Sequence, residues 1–241
     1  MITLAMDTSE SRGSVAVRRD GQTIATEAHT DGSDYSEWLL PTVERVLRVA
    51  STDIRSVDLY GVTTGPGSFT GVRVGLTTVK AWCEVHGKPV VGVSRLAALA
   101  SSVAPREGGR CLLAAFYDAQ RGQVFGAVYR TDGGLLESVG DEIVIAPEGF
   151  LQLVAKEAGT GAVQWASLDP ELVTGLEGWG DRAGRGDVME KVSPQLAATV
   201  GRIAEERAKA GKFSDPLELD ANYVRRSDAE IFWKGPAAHV R

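Results

Sequence analysis

The chain has 241 residues, of which 43% are hydrophobic and 24% charged, and its net charge is −6. That is enough for one large domain or two small ones around a sizeable core. The acidic balance speaks against a general nucleic-acid binder, which would carry a basic face, and leaves only a local basic patch near Arg225 and Arg226 open.

In chain order, "ITLAMDT" reads as a buried strand. "GSVAVRRDGQTIATEA" comes next, with alternating Val15 and Val17 and an Asp20-Gly21 turn, which is a hairpin signal. The first three elements are therefore expected to be antiparallel strands. "YSEWLLPTVERVLRVA" places Leu39, Val43, Val46, Leu47 and Ala50 on one helical face, with Pro41 kinking the helix or marking its start. "SVDLYGVTTG" is a strand. Thr70 then resembles an N-cap for a helix over "VRVGLTTVKAWCEVHG", ending at Gly87. "KPVVGVS" is the next strand and "RLAALASSVA" the next helix.

The polar stretch "PREGGR", residues 105–110, marks a candidate boundary between lobes 1–104 and 105–241. The second lobe repeats the start of the first: an apolar strand ending in Asp (Asp7, Asp118), a turn with Arg-Gly (Arg12-Gly13, Arg121-Gly122), a second strand, and an Asp-Gly turn (Asp20-Gly21, Asp132-Gly133). Two β-β-β-α halves imply a two-lobed α/β fold with a cleft between the lobes. "PEGFLQLVAKEAG" reads as a helix opened by Pro147. "SPQLAATVGRIAEERAKAG" reads as another, with Ser193 as cap, Pro194 at its first position and Gly211 as its stop. Residues 160–190 carry many glycines and little period, and receive no assignment.

Asp7 and Asp118 end equivalent strands and are expected at the cleft. Carboxylates there could hold a hydrated Mg²⁺ beside nucleotide phosphates, with the turn amides near Gly122 on the phosphate oxygens. Alternatively, each Asp hydrogen-bonds its own turn.

"TTGPGSFTGVRVGL", residues 63–76, looks like a phosphate loop but lacks the required Lys, and Thr70 stands where a dinucleotide motif needs glycine. Pro66 also removes an amide donor. On the helix, Gly71, Gly75 and Thr78 share a face opposite Val72 and Val79. Such a face suits the close approach of a second helix, either from a partner or from within the chain.

The three histidines, His29, His86 and His239, stand apart, so no zinc-ligand spacing appears, and no G-x-S-x-G marks a nucleophile. Cys83 and Cys111 sit in apolar surroundings, as small buried hydrophobes in a reducing compartment. The N-terminus has no secretory pattern and no run reaches membrane-span length, so a soluble cytoplasmic protein is expected.

"LAMDTS", "GPGSFTGVRVGL", "VVGVSRLAALA" and "FYDAQRGQVF", in that order, resemble the bacterial TsaB (YeaZ) family over nearly the whole chain. "DANYVRR" is similar to the family's closing P-x-Y-L-R, with Ala for Pro and Val for Leu. The resemblance implies the duplicated actin/hexokinase/Hsp70-like (ribonuclease H-like) α/β fold. It also implies a part in making N6-threonylcarbamoyladenosine beside the anticodon of tRNAs reading codons that start with A.

In that role the chain would be a non-catalytic scaffold without catalytic residues or metal of its own. It would pair with a TsaD-like catalytic paralogue and a TsaE-like ATPase, touch tRNA only indirectly, and dimerise with itself when alone. It would hold no tight cofactor, with ATP or ADP and Mg at the complex interface. The implied pairing surface comprises Leu39, Val43 and Leu47 of the first helix, and Gly67, Ser68, Phe69, Thr70, Gly71, Gly75 and Thr78. Many relatives have His where Tyr35 stands, and "LVTGLEGWGD" is a diffuse version of the late glycine turn. A nucleotide-dependent kinase of the same fold and a glycoprotease-like peptidase remain the alternatives.

Overall fold

A computed structural model describes residues 1–30, 32–105, 110–132 and 136–225. The first half builds a five-stranded sheet from β1 (Ile2–Asp7), β2 (Ser14–Arg19), β3 (Gln22–Ala28), β4 (Leu59–Thr63) and β5 (Val90–Val93), ordered β3-β2-β1-β4-β5. β1 to β3 are antiparallel, and β1, β4 and β5 are parallel, with Leu4 opposite both Val17 and Tyr60. The second half repeats the plan with β6 (Cys111–Asp118), β7 (Val124–Thr131), β8 (Glu137–Ser138), β10 (Val163–Ser167) and β11 (Val188–Lys191), ordered β11-β10-β6-β7-β8. β9 (Ile143–Ile145) also pairs with β7. This is the expected duplicated α/β fold, seen as two sheets of one plan. Gly133, most of the 105–110 boundary, Arg226 and His239 lie outside the described residues.

Helices fill three layers around the two sheets. α1 (Tyr35–Val49) and α2 (Phe69–His86) cover the outer face of the first sheet, where Leu4, Met6, Val15, Val17, Tyr60 and Val62 meet Leu39, Val43, Leu47, Val72, Leu76 and Val79. α4 (Pro147–Ala158) and the short α5 (Glu171–Thr174) cover the outer face of the second sheet, with Trp165 against Phe116 and Phe150. α6 (Trp179–Gly184) adds Trp179 to that cluster.

Between the sheets lie α3 (Arg95–Val103) and α7 (Ala197–Lys209). They are exchanged: α3, from the first half, packs on β6, β7 and β10, while α7, from the second, packs on β1, β2, β4 and β5. The strand period of two sends Ala5 inward and its neighbours Leu4 and Met6 outward. Burying Leu196, Val200 and Ile203 contributes about 1.5–3 kcal/mol per side chain.

Several local expectations change. Ser68, not Thr70, caps α2, its Oγ accepting from the Gly71 amide at 3.2 Å. Pro41 lies inside α1, on the solvent side where the Glu37 carbonyl it leaves free can be hydrated. Ser193 and Pro194 precede α7 rather than opening it: Ser193 Oγ accepts from Gln195 N at 3.3 Å in a turn of its own. The unassigned stretch 160–190 supplies two parallel strands, β10 and β11, whose short runs show no period because their environment is buried on both faces or at an edge. Among the described residues, no helix is long and apolar enough to cross a membrane.

Candidate functional site: the cleft between two equivalent turns

β1 and β6 belong to different sheets, and the turns after them line a common cleft of about 590 Å³. Ser9, Glu10 and Arg12 line it from the first turn, and Asp118, Gln120 and Arg121 from the second. Phe125 and Leu168 lie deeper. Phe69 and Tyr223 stand at its mouth.

Asp7 does not open into this cleft. It is fully buried, and its Oδ1 accepts from Ser9 N (3.0 Å), Ser9 Oγ (2.5 Å) and Thr63 Oγ1 (2.9 Å). Its Oδ2 lies 3.6 Å from the Nε of Arg95, which is itself fully buried. The Arg95 guanidinium also stands 3.6 Å from Glu10 and over the Tyr117 ring at 5.1 Å. Burial would lower the Arg95 pKa, but Asp7 beside it, aided by Glu10, holds it above the ordinary value. Burial likewise pushes Glu10 up, yet Arg95 and Arg12 hold its carboxyl below the usual range. Arg95 is the residue that motif reading missed. Its signal was a lone cation opening the otherwise apolar run "RLAALA".

Asp118 takes the local alternative. Its Oδ1 accepts from Gln120 N at 2.7 Å and its Oδ2 from Gln120 Nε2 at 3.0 Å, while its own amide donates to Asp169. Gln120, Arg121 and Gly122 are all left-handed, with φ of 64°, 60° and 70°. Only Gly122 adopts this without strain.

The glycine block has a structural explanation. A β-carbon on Gly67 would stand 1.9 Å from the Ser9 carbonyl oxygen, one on Gly71 2.1 Å from that of Thr8, and one on Gly75 2.5 Å from Thr8 Oγ1. Ser68 N donates to Ser9 O at 2.7 Å, and Thr8 Oγ1 to Gly71 O at 2.7 Å. The block thus clamps the first turn. This corrects the expectation of an open glycine face: Gly71 and Gly75 are buried with Val72 and Val79, not opposite them. Leu39, Val43 and Leu47 are also interior. Of the ten residues of the implied pairing surface, Gly67, Ser68, Phe69 and Thr70 are exposed and Thr78 is half-buried. The outer faces of α1 and α2 present Leu40, Val49 and Val85 instead, at 55%, 71% and 74% exposure.

The closing segment straps the cleft from its open edge. Asn222 N donates to Thr64 O (2.7 Å) in the first lobe, and its Nδ2 to Glu142 Oε2 (2.6 Å) in the second. Tyr223 stacks on Phe69 at 5.2 Å and accepts from Arg73 Nε at 2.7 Å, with the Arg73 guanidinium 3.8 Å over Phe69. Arg225 donates to Ala119 O (2.6 Å) and Gln123 Oε1 (2.7 Å), clamping the second turn.

His29 is buried, its ring nitrogens against the carbonyls of Ser11 (2.6 Å) and Ser33 (2.9 Å). Burial pushes the Cys83 thiol up to about 11. Among the described residues, no group of three His, Cys, Asp or Glu side chains could hold a metal ion. Of the two readings of Asp7, the one with a hydrated Mg²⁺ does not fit its surroundings, because the buried Arg95 guanidinium stands 3.6 Å from that carboxylate.

The family described as "TsaD: tRNA N6-adenosine threonylcarbamoyltransferase" matches residues 27–169. The tRNA threonylcarbamoyladenosine biosynthesis protein TsaB of Bacillus subtilis is 33% identical, over 97% of this chain and 98% of its own. A Pseudomonas aeruginosa structure described as similar to the peptidase YeaZ aligns with a TM-score of 0.71 at 26% identity, covering 93% of this chain and 99% of that one. At the level of fold alone, a ROK hexokinase from Thermus thermophilus aligns with a TM-score of 0.53 at 12% identity, over 88% of this chain and 100% of that one.

Proposed function

The chain belongs to the TsaB (YeaZ) family of proteins of tRNA threonylcarbamoyladenosine biosynthesis, and from that premise we propose that it is a non-catalytic subunit of this modification, holding a TsaD-like paralogue in its working form. The observation that carries the reading is the cleft itself. Where a kinase of this fold would need an accessible carboxylate, Asp7 is sealed against Arg95. The kinase alternative therefore loses its metal ligand. For the peptidase alternative, the Ser33 hydroxyl does stand 3.4 Å from His29 Nε2, but the buried His29 ring is already engaged by the Ser11 and Ser33 carbonyls.

The docking face is the outer surface of α1 and α2, where Leu40, Val49 and Val85 are individually exposed, as is Phe69 of the glycine block. The partner there is the TsaD-like paralogue, or a second copy of this chain when it is alone, since a two-fold contact uses the same patch on both copies. A TsaE-like ATPase docks on the pair, with ATP or ADP and Mg at the interface of the complex, and tRNA is reached through the paralogue. The protein works in the cytoplasm.

Capture of the TsaD-like paralogue by the purified chain tests the reading. Wild type retains it and Leu40→Asp does not, while both give the same folded circular-dichroism spectrum. Retention by neither, or equally by both, moves the function or the face elsewhere.

A further inference from the structure

We propose that the cavity between the end of α7 and the edge of β5 binds a small amphipathic anion, with one carboxylate or phosphate head on Arg207 and an apolar body against α3 and α7. This cavity, of about 1050 Å³, shares no lining residue with the cleft at the two turns. It has ample room for a small molecule.

The head is assigned by an arginine that lacks a carboxylate. The buried arginines Arg18, Arg95 and Arg182 each face one, in Glu205, Asp7 and Asp187. Arg202, beside the cavity, is held by Glu206 at 2.7 Å. Arg207 is half-buried, yet among the described residues its hydrogen-bond partner is only the Gly92 carbonyl, which accepts from its Nη1 at 2.8 Å. Burial pushes its pKa below the ordinary value, as for a cation that has no countercharge. A basic residue in the last turn of a helix commonly serves the carbonyl end of that helix, but this guanidinium reaches across to β5 instead. The bond to Gly92 leaves the Nε and Nη2 edge, whose parallel N–H groups fit a carboxylate or phosphate.

Ser214 supplies a second donor. Its Oγ accepts from Gly92 N at 3.0 Å, so its own proton remains to be given. Arg207 and Ser214 thus meet at the two backbone groups of one residue, and both line the cavity. Lys209 and Lys212, both exposed, add positive charge around them.

The body is assigned by the floor. Val91, Ala97 and Ile203 are buried there, and Phe213 stands at the rim with 53% of its surface exposed. The opposite wall carries Asp132 and Glu137. A second negative end would meet these carboxylates, so the ligand is single-headed, with its charge on the α7 side.

Two probes of one chain length, octanoate and octyl phosphate, separate the head types. Each is titrated into the full chain by calorimetry and followed by amide NMR, and the tighter one defines the head. Binding should shift the Gly92 and Ser214 amides. Octylamine, with the same body and the opposite charge, should leave them in place, and acetate, the head alone, should bind at least about tenfold more weakly than octanoate. Arg207→Met should weaken binding about tenfold, the worth of one charged hydrogen-bonded contact. Because Arg207 also ties α7 to β5, Phe213→Ser on the exposed rim is the second variant: it should weaken octanoate severalfold with an unchanged circular-dichroism spectrum. Absence of binding by either anion at millimolar concentration overturns the proposal. So do equal binding of octylamine, shifts confined to residues outside this cavity, or an affinity that folded Arg207→Met and Phe213→Ser leave intact.

Discussion

The Cα of Gly71 lies so close under the Thr8 carbonyl that a β-carbon there would stand 2.1 Å from the oxygen. Backbone cannot yield as a side-chain tip can. Gly71→Ala should therefore destabilise the protein by roughly 1–3 kcal/mol, the usual cost of forcing extra volume into a packed site. Urea unfolding should show a lower midpoint with an unchanged slope. Gly75→Leu, whose β-carbon would meet Thr8 Oγ1 at 2.5 Å, should be worse. An unaltered midpoint in Gly71→Ala would mean the first turn is not clamped there.

The docking face makes a different demand. Leu40 is 55% exposed on α1, and Val188 is 49% exposed on β11 of the far sheet. Charged substitutions at such positions should change stability by no more than about 0.5 kcal/mol. In cells dependent on this chain, Leu40→Asp should lower threonylcarbamoyladenosine in tRNA several-fold, while Val188→Asp should leave it normal. Mass spectrometry of tRNA nucleosides reads both, after immunoblots show equal protein. Equal loss in the two would point to general damage.

Asp7 and Arg95 should behave as a buried pair. Removing one partner leaves an uncompensated interior charge, so Asp7→Asn should cost on the order of 3–5 kcal/mol. Adding Arg95→Met removes the stranded cation and should recover part of that loss. A double variant no more stable than Asp7→Asn would show that the pair is not coupled.

Glu142 sets a pH dependence. Burial raises its pKa above the ordinary 4.5, opposed by hydrogen bonds from Ser94, Tyr129 and Asn222. The folded state therefore holds its proton more tightly than the unfolded chain. The resulting stability is fully present below pH 4.5 and is lost as pH rises through the raised folded value. Glu10, with a lowered pKa, contributes in the opposite sense, above 4.5 and lost on acidification. Subtracting a Glu142→Gln variant isolates the first effect: the wild-type advantage should shrink as pH climbs from 4.5. A difference that grows instead would place a lowered pKa at Glu142.

Much of the fold was legible because the duplicated part of the chain keeps closely to strand and helix periods. Alternation at Val15 and Val17 and the Asp20-Gly21 turn gave the first hairpin, and the Asp7/Asp118 correspondence gave the second sheet. β10 and β11 were not legible, since Val163–Ser167 and Val188–Lys191 are short and flanked by glycines whose turns depend on tertiary contacts. The candidate site was half legible. The positions of Asp7 and Asp118 could be read, but not the charge that meets Asp7, because Arg95 arrives from a helix 88 residues away in sequence. The glycines of 65–75 were visible as close-approach residues, yet what approached them, the chain's own Thr8 and Ser9, could be known only from the folded backbone.

The exchange of α3 and α7 between the sheets has a consequence for how the chain is made. As it emerges from the ribosome, all five strands of the first sheet are complete at Val93, but the helix that covers their inner face, Ala197–Lys209, has not yet been synthesised. At about 5–20 residues per second that face stays bare for roughly 5–20 seconds. A nascent chain arrested near residue 104 would expose Ala5, Leu59, Val91 and Val93 as a sticky apolar slab. Two halves supplied as separate polypeptides should therefore form native protein only when present together, each lending the other its missing lid.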